Sequence, residues 1–273
     1  MAAAPIAEIT RFSVPNVVVI TGFMGNEAMR GGFVDRVTEV NDKVQSDGYY
    51  LSVMQQSTVP RYIHSIGGKD LLGFEIILAG AILFLLDDAL FIIRQAINRC
   101  LNVADPSTLR INLGSFGSFN FARVDQSWTE TLFTDAIEYF GDCNFDAFQL
   151  LPDTSHTSID VPRLDIAVAV GREPVWRWLR EPWQFQIPEA STAVTNFDAL
   201  RGYPVTEASR WEPDEWDLFA GSGPDTPDRE VRVVPIGTLL AVDETLHPVI
   251  SLDVGQSLWR DEKGGIWNDW GLR

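Results

Sequence analysis

The sequence predicts an α+β fold in two domains, residues 1–160 and 169–273, the second smaller and richer in strands. Three observations predict it. Short β-branched runs alternate with helical periodicities through the first half. The polar, proline-bearing stretch from Pro152 to Asp165 interrupts that alternation. Eight of the nine tryptophans lie beyond residue 170, among short strand-like runs and turns. With 273 residues and 45% apolar content, the chain has the material for two ordinary cores.

In chain order, Val17 to Gly22 is a β-branched run ended by glycine, hence a strand. Gly22-Phe-Met-Gly25 has the glycines of a phosphate loop but not its closing Gly-Lys-Ser/Thr, so no nucleotide site is predicted there. Val34, Val37, Val40 and Val44 recur at helical spacing from Phe33 to Ser46, and Asp47-Gly48 ends that helix. Tyr49 to Gln55 is a strand, Pro60 to Gly68 a connection or second strand, and Phe74 to Ala79 a buried strand. Ala81 to Leu101 has the broadest apolar face, built from Ile82, Leu85, Leu86, Ala89, Ile92, Ile93 and Ile97. Glycines and serines between Leu109 and Val124 predict a hairpin, Trp128 to Phe140 a helix, and Ala147 to Leu151 a strand. Further strands are expected at Thr192 to Thr195, Val231 to Val234, Thr238 to Val242 and Val249 to Leu252.

Charge and composition exclude several functions. The net charge is −17, with 38 acidic against 21 basic residues and only three lysines. Such a field repels nucleic acid and anionic lipid and speeds encounter with basic proteins. The uncharged run Ile76 to Leu86 is too short to span a bilayer, which takes about 20 residues. Cys100 and Cys143 form no CxxC and no disulfide framework, which fits a reducing cytoplasm, and the start of the chain lacks the pattern of a signal peptide.

Catalytic and cofactor chemistry find little support. No Gly-x-Ser-x-Gly elbow exists, neither cysteine has a histidine nearby in sequence, and no metal or cofactor is expected. His64 lies in an apolar strand and His247 at a turn before Pro248. Asp153, His156, Asp160 and Asp165 share one segment, and such a cluster could hold a divalent ion or act as an acid–base pair; their spacing matches no ligand motif, and polar residues near prolines ordinarily mark a solvated linker.

The last quarter of the chain combines indoles with carboxylates. Tryptophans supply contact area at low entropic cost, and carboxylates beside them meet lysine and arginine on a partner. Proline and glycine between Trp211 and Glu230 predict an exposed loop. The expected partner-binding residues are Trp211, Asp214, Glu215, Trp216, Asp217, Asp225, Asp228 and Glu230. At least half of the late tryptophans are needed to fill a small core.

The same region resembles a family. Ala193-Val-Thr195, Gly202-Tyr-Pro-Val205, Trp216-Asp-Leu-Phe-Ala-Gly221, Pro235 to Leu239, Asp243, His247-Pro248, Gly255, Arg260, Gly265 and Trp267 occur in the order found in immunity-protein family thirty-three of polymorphic toxin systems. The chain departs from it before Trp216, where Pro213-Asp-Glu replaces an Asp-Ser-Gly-like run. The first half is similar to domain-of-unknown-function family four-two-six-two, through Asp47 to Tyr50, Tyr62 to Gly67, Phe74 to Gly80, Tyr139 to Gly141 and Phe148 to Asp153. Leu72-Gly-Phe-Glu75 stands where that family has Gly-His-Pro-Glu. The resemblance implies a cytoplasmic immunity protein that binds and blocks a secreted toxin, and the acidic charge of this chain makes a basic toxin surface the expected target. The alternatives are an enzyme reversing toxin damage through the Asp153–His156–Asp160 segment, or a regulatory binding module unrelated to toxins.

Overall fold

The computed structural model describes residues 17–20, 29–169 and 171–270. The phosphate-loop-like glycines at 22 and 25 lie outside them. The fold is α+β, built on two mixed sheets.

The first sheet has seven strands: β1 (Val17–Ile20), β2 (Tyr50–Met54), β3 (Tyr62–Ile66), β4 (Phe74–Ala79), β5 (Arg110–Asn112), β6 (Ser118–Arg123) and β7 (Asp146–Pro152). Their spatial order is β1-β2-β3-β4-β7-β6-β5. β1 and β2 are parallel, as are β4 and β7, and every other neighbouring pair is antiparallel. Both faces of this sheet are covered, which explains why β3 and β4 are buried at every residue.

Helix α1 (Met29–Asp47) precedes β2, the one-turn α2 (Gly68–Leu72) links β3 to β4, and α3 (Leu86–Cys100) follows β4. α3 lays Ala89, Leu90, Ile92, Ile93, Ala96, Ile97 and Cys100 against one face. α4 (Gln126–Leu132) and α5 (Thr134–Phe140) cover the other with Trp128, Leu132, Phe133 and Ala136. The single helix expected over 128–140 is thus two, broken at Phe133, whose φ of −101° and ψ of 35° leave the helical region.

The long helix expected from Ala81 begins at Leu86 instead. Gly80 and Ala81 both have positive φ, 70° and 62°, which no right-handed helix accommodates. The main-chain N–H of Leu85 then donates to Asp88, as an N-terminal capping contact does. Freed from the helix, Ile82 and Leu83 leave the first sheet and enter the core of the second.

The second sheet has six strands: β8 (Thr192–Asn196), β9 (Glu207–Glu212), β10 (Glu215–Phe219), β11 (Val231–Pro235), β12 (Ser257–Trp259) and β13 (Asn268–Asp269), in the order β11-β8-β10-β9-β12-β13. Ala193, Ala208, Trp216, Leu218 and Val234 form its buried face, covered by α6 (Phe197–Leu200), α7 (Ile236–Leu240) and the 3-10 segment Glu244–Ser251. Two expected strands are therefore helical. Thr238 to Val242 falls largely in α7, and Val249 to Leu252 closes the 3-10 segment. Ile236, Leu239 and Leu240 are spaced i, i+3, i+4, and a short apolar run does not separate the two periods.

The stretch expected to be a solvated seam is partly internal, although Thr154, Ser155, Thr157, Arg163 and Asp165 are exposed. Ser158, Asp160 and Leu164 are buried, and Val175 and Trp176 join the first sheet's core beside Trp128. The indole N–H of Trp176 donates to the Asp160 main-chain oxygen at 2.8 Å.

Candidate protein-binding face

The prolines and glycines from Trp211 to Glu230 predict an exposed loop. The structure puts a β-hairpin in its first part. β9 and β10 are joined by Pro213-Asp214, and Trp216 pairs with Arg210, Asp217 with Ser209 and Leu218 with Ala208. The alternation of Glu215, Trp216, Asp217 and Leu218 is the period-two signal of a half-buried strand.

That alternation corrects one assignment. Trp216 is fully buried and cannot meet a partner. Its ring packs in the second core and its indole N–H points to the Val249 oxygen at 3.3 Å. The Arg210 guanidinium lies 4.5 Å from its ring centroid, while Nη1 donates to Leu252 O and Nη2 to Pro213 O. This arginine is thereby committed to holding the hairpin and does not neutralise its carboxylates.

The other face of the sheet is open. Val233, Val194, Asp217, Ser209 and Ser257 form one transverse row through five strands. Val233 is 61% exposed, and Val194 and Asp217 are half-buried. Trp211, 54% exposed, reaches diagonally across the hairpin, and its indole N–H donates to Asp217 Oδ2 at 2.7 Å. Burial raises the Asp217 carboxyl above its ordinary range, and the Trp211 hydrogen bond offsets part of that rise. Trp259 stands opposite Glu207, on the far side of the step where Ser209 Oγ donates to Ser257 Oγ.

Trp211 is also the extra residue of a β-bulge. Glu212 pairs with Glu215 and Arg210 with Trp216, so nothing opposes Trp211. The bulge leaves Trp211 and Glu212 both exposed and sets two glutamates directly opposite each other. Asp214 is exposed at the turn between them.

The remaining predicted residues lie beyond β10. Asp225 and Asp228 are exposed in two consecutive 3-10 turns, and Glu230 is half-exposed, 3.3 Å from Arg229 Nη2. Gly223 N donates to Glu207 Oε2 at 3.0 Å and ties this loop to the rim of the hairpin. Residues 207–230 hold eight carboxylates and two arginines. The sheet positions Val194, Val233, Ser209 and Ser257 were missed in the sequence because their membership of one row depends on long-range pairing.

The Asp153 segment does not converge into one site. His156 Nδ1 is 2.7 Å from Asp153 Oδ1, and its ring stacks on Phe84. Asp153 also accepts from Ser118 N at 2.7 Å, contacts that hold its carboxyl below the usual range. Asp160 is buried and takes Ser158 Oγ at 2.6 Å, and Asp165 pairs with Arg163. Among the described residues no group of three or more His, Cys, Asp or Glu is arranged to hold a metal ion, and no helix is long and apolar enough to cross a membrane. No protein-family model, no curated protein and no solved structure matches the chain.

Proposed function

We propose that this chain is an immunity-type binding protein that occludes a basic toxin domain with the open face of its second sheet. The observation that supports the reading is the eight-to-two excess of carboxylates over arginines across residues 207–230, set around the exposed indole of Trp211. Both arginines have partners within the region, Arg210 at the hairpin and Arg229 at Glu230. Apart from Glu230, which Arg229 already pairs, the carboxylates are therefore left for an external cation, and the flanking valines and tryptophans supply apolar area. The identity of the partner as a toxin rests on the sequence resemblance alone, and the cytoplasm is the compartment that resemblance implies.

Co-expression with the toxin-like domain of a secreted protein encoded beside this gene tests the reading. Protection of the host and co-purification of the two proteins are expected. Asp214→Lys with Glu215→Lys should abolish both while leaving the melting temperature near that of the parent, because the two side chains are exposed. Undiminished protection by the double variant would refute the placement.

A further inference from the structure

We propose that α2 is a hinged lid over the Glu75 side chain, shut while the carboxyl carries a proton and opened when the proton leaves. The device belongs to the first sheet and is independent of the binding role proposed above.

Glu75 lies on β4 opposite Ala147 of β7 and is fully buried. Its Oε1 accepts the Lys69 main-chain N–H at 2.8 Å, and the Ser65 hydroxyl donates to Oε2. Ser65 Oγ in turn accepts the Ile76 N–H at 2.9 Å. One carboxyl thus ties α2 to the facing ends of β3 and β4. Little else holds α2 from within. Gly68 is its one buried residue, Leu72 is half-buried, and Leu71 is 38% exposed. On the outside, Lys69 Nζ lies 3.6 Å from Asp142 and 4.9 Å from the Phe140 ring centroid. Pairs this open to solvent contribute little.

Hinges flank the turn on both sides. Gly67 precedes α2 at a φ of 94° and Gly73 follows it at 92°. Glycine leaves and re-enters the left-handed region without the penalty that a side chain brings. Rotation at these two positions swings α2 while β3 and β4 stay paired. Gly68 completes the fit, because a Cβ there would stand 2.7 Å from Glu75 Oε2. The shut lid needs bare backbone against the carboxyl.

The proton sets the balance. Among the described residues, no cation pairs with Glu75. The ionisable groups around it are Asp70 on α2, which opposes its ionisation, and Tyr139 on α5, which burial holds in its neutral form. The Lys69 ammonium is turned toward Asp142. Under the shut lid, burial raises the carboxyl to about 7, and the Ser65, Lys69 and Gly67 hydrogen bonds offset only part of the rise. Water reaching the open site returns it toward 4.5. A group held above its solvated value favours the shut state while protonated. That preference is complete below about 4.5 and is lost as pH rises through about 7. The lid therefore opens on the alkaline side.

Hydrogen exchange of the full chain tests this. Uptake is read by mass spectrometry over residues 67–73 and 74–79 and divided by the intrinsic rate at each pH. Protection over 67–73 should fall at least about tenfold between pH 5 and pH 8, while that over 74–79 holds. Glu75→Gln keeps an acceptor for the Lys69 amide and has no proton to lose, so its protection should not vary with pH. Gly73→Ala adds a carbon with no atom within 4 Å and strains only the hinge. It should lower protection over 67–73 about fivefold at pH 5 and spare 74–79. Should Glu75→Gln not fold, the parent's pH profile and Gly73→Ala decide. Protection over 67–73 that ignores pH in the parent, an undiminished pH dependence in Glu75→Gln, or losses shared equally by 74–79 would overturn the lid.

Discussion

Arg232 on β11 donates Nη2 to the main-chain oxygen of Leu83 at 2.6 Å, joining the edge of the second sheet to the loop that leaves the first. The same guanidinium donates Nη1 to Val231 O at 2.8 Å and Arg229 O at 3.0 Å and lies 4.6 Å from the Phe197 ring centroid. From the other side, Arg61 donates to Phe84 O at 2.9 Å. One five-residue turn is thus gripped by Arg232 of the second sheet and by Arg61, the residue before β3 of the first. Arg232→Met keeps the apolar stem and removes the donors. It should cost about 2 kcal/mol, the scale of charge-assisted hydrogen bonds, read as a lower urea midpoint. Arg232→Lys should recover little of it, since one ammonium cannot reach three carbonyls and a ring together.

The two tryptophans of the hairpin should behave oppositely. Trp216→Ala empties a fully buried site and should cost about 3–5 kcal/mol. Trp211→Ala removes an exposed ring and one hydrogen bond, and stability should change by no more than about 1 kcal/mol. Denaturant melts of the two variants check the contrast.

Gly117 is irreplaceable for two reasons. Its φ is 84°, and a Cβ there would collide with the His156 imidazole and stand 2.7 Å from Asp153 Oδ2. Gly117→Ala should destabilise the chain by about 1–3 kcal/mol and displace His156 from Phe84. The change should appear in the His156 imidazole resonances.

Glu75 gives stability an unusual pH dependence. Its carboxyl is fully buried, and burial pushes it up to about 7 despite hydrogen bonds from the Ser65 hydroxyl and Lys69 N. The folded state therefore holds a proton that the unfolded chain releases near 4.5. Its contribution is fully present below about 4.5 and is lost as pH rises through about 7. Glu75→Gln should flatten this part of the profile, and urea midpoints of parent and variant at pH 5 and pH 8 should draw together or cross.

Much of the first sheet was legible in the sequence. Phe74 to Ala79 is too short for a core helix and is bounded by Gly73 and Gly80, which mark it as a strand, and the glycines between Leu109 and Val124 mark a hairpin that the structure contains. The start of α3 was not legible, because Ile82 and Leu83 continue the apolar face of Leu86 and Ala89 in sequence but serve a different core. At the candidate face, the residue types were readable and their roles only in part. Pro213 and its acidic neighbours look like a loop, although two residues suffice to turn a hairpin. The strand alternation that buries Trp216 and presents Asp217 was written in the sequence, and the proline and carboxylates obscured it.

Ile82 and Leu83 have a consequence for anyone who divides this chain. A fragment beginning near residue 169 would lack them and would show water an unfilled apolar hollow. A fragment ending near 160 would carry both as bare apolar side chains and would be deprived of Val175 and Trp176. Each half keeps a piece of the other's interior, so neither should survive purification alone, and the two should melt as a single cooperative unit.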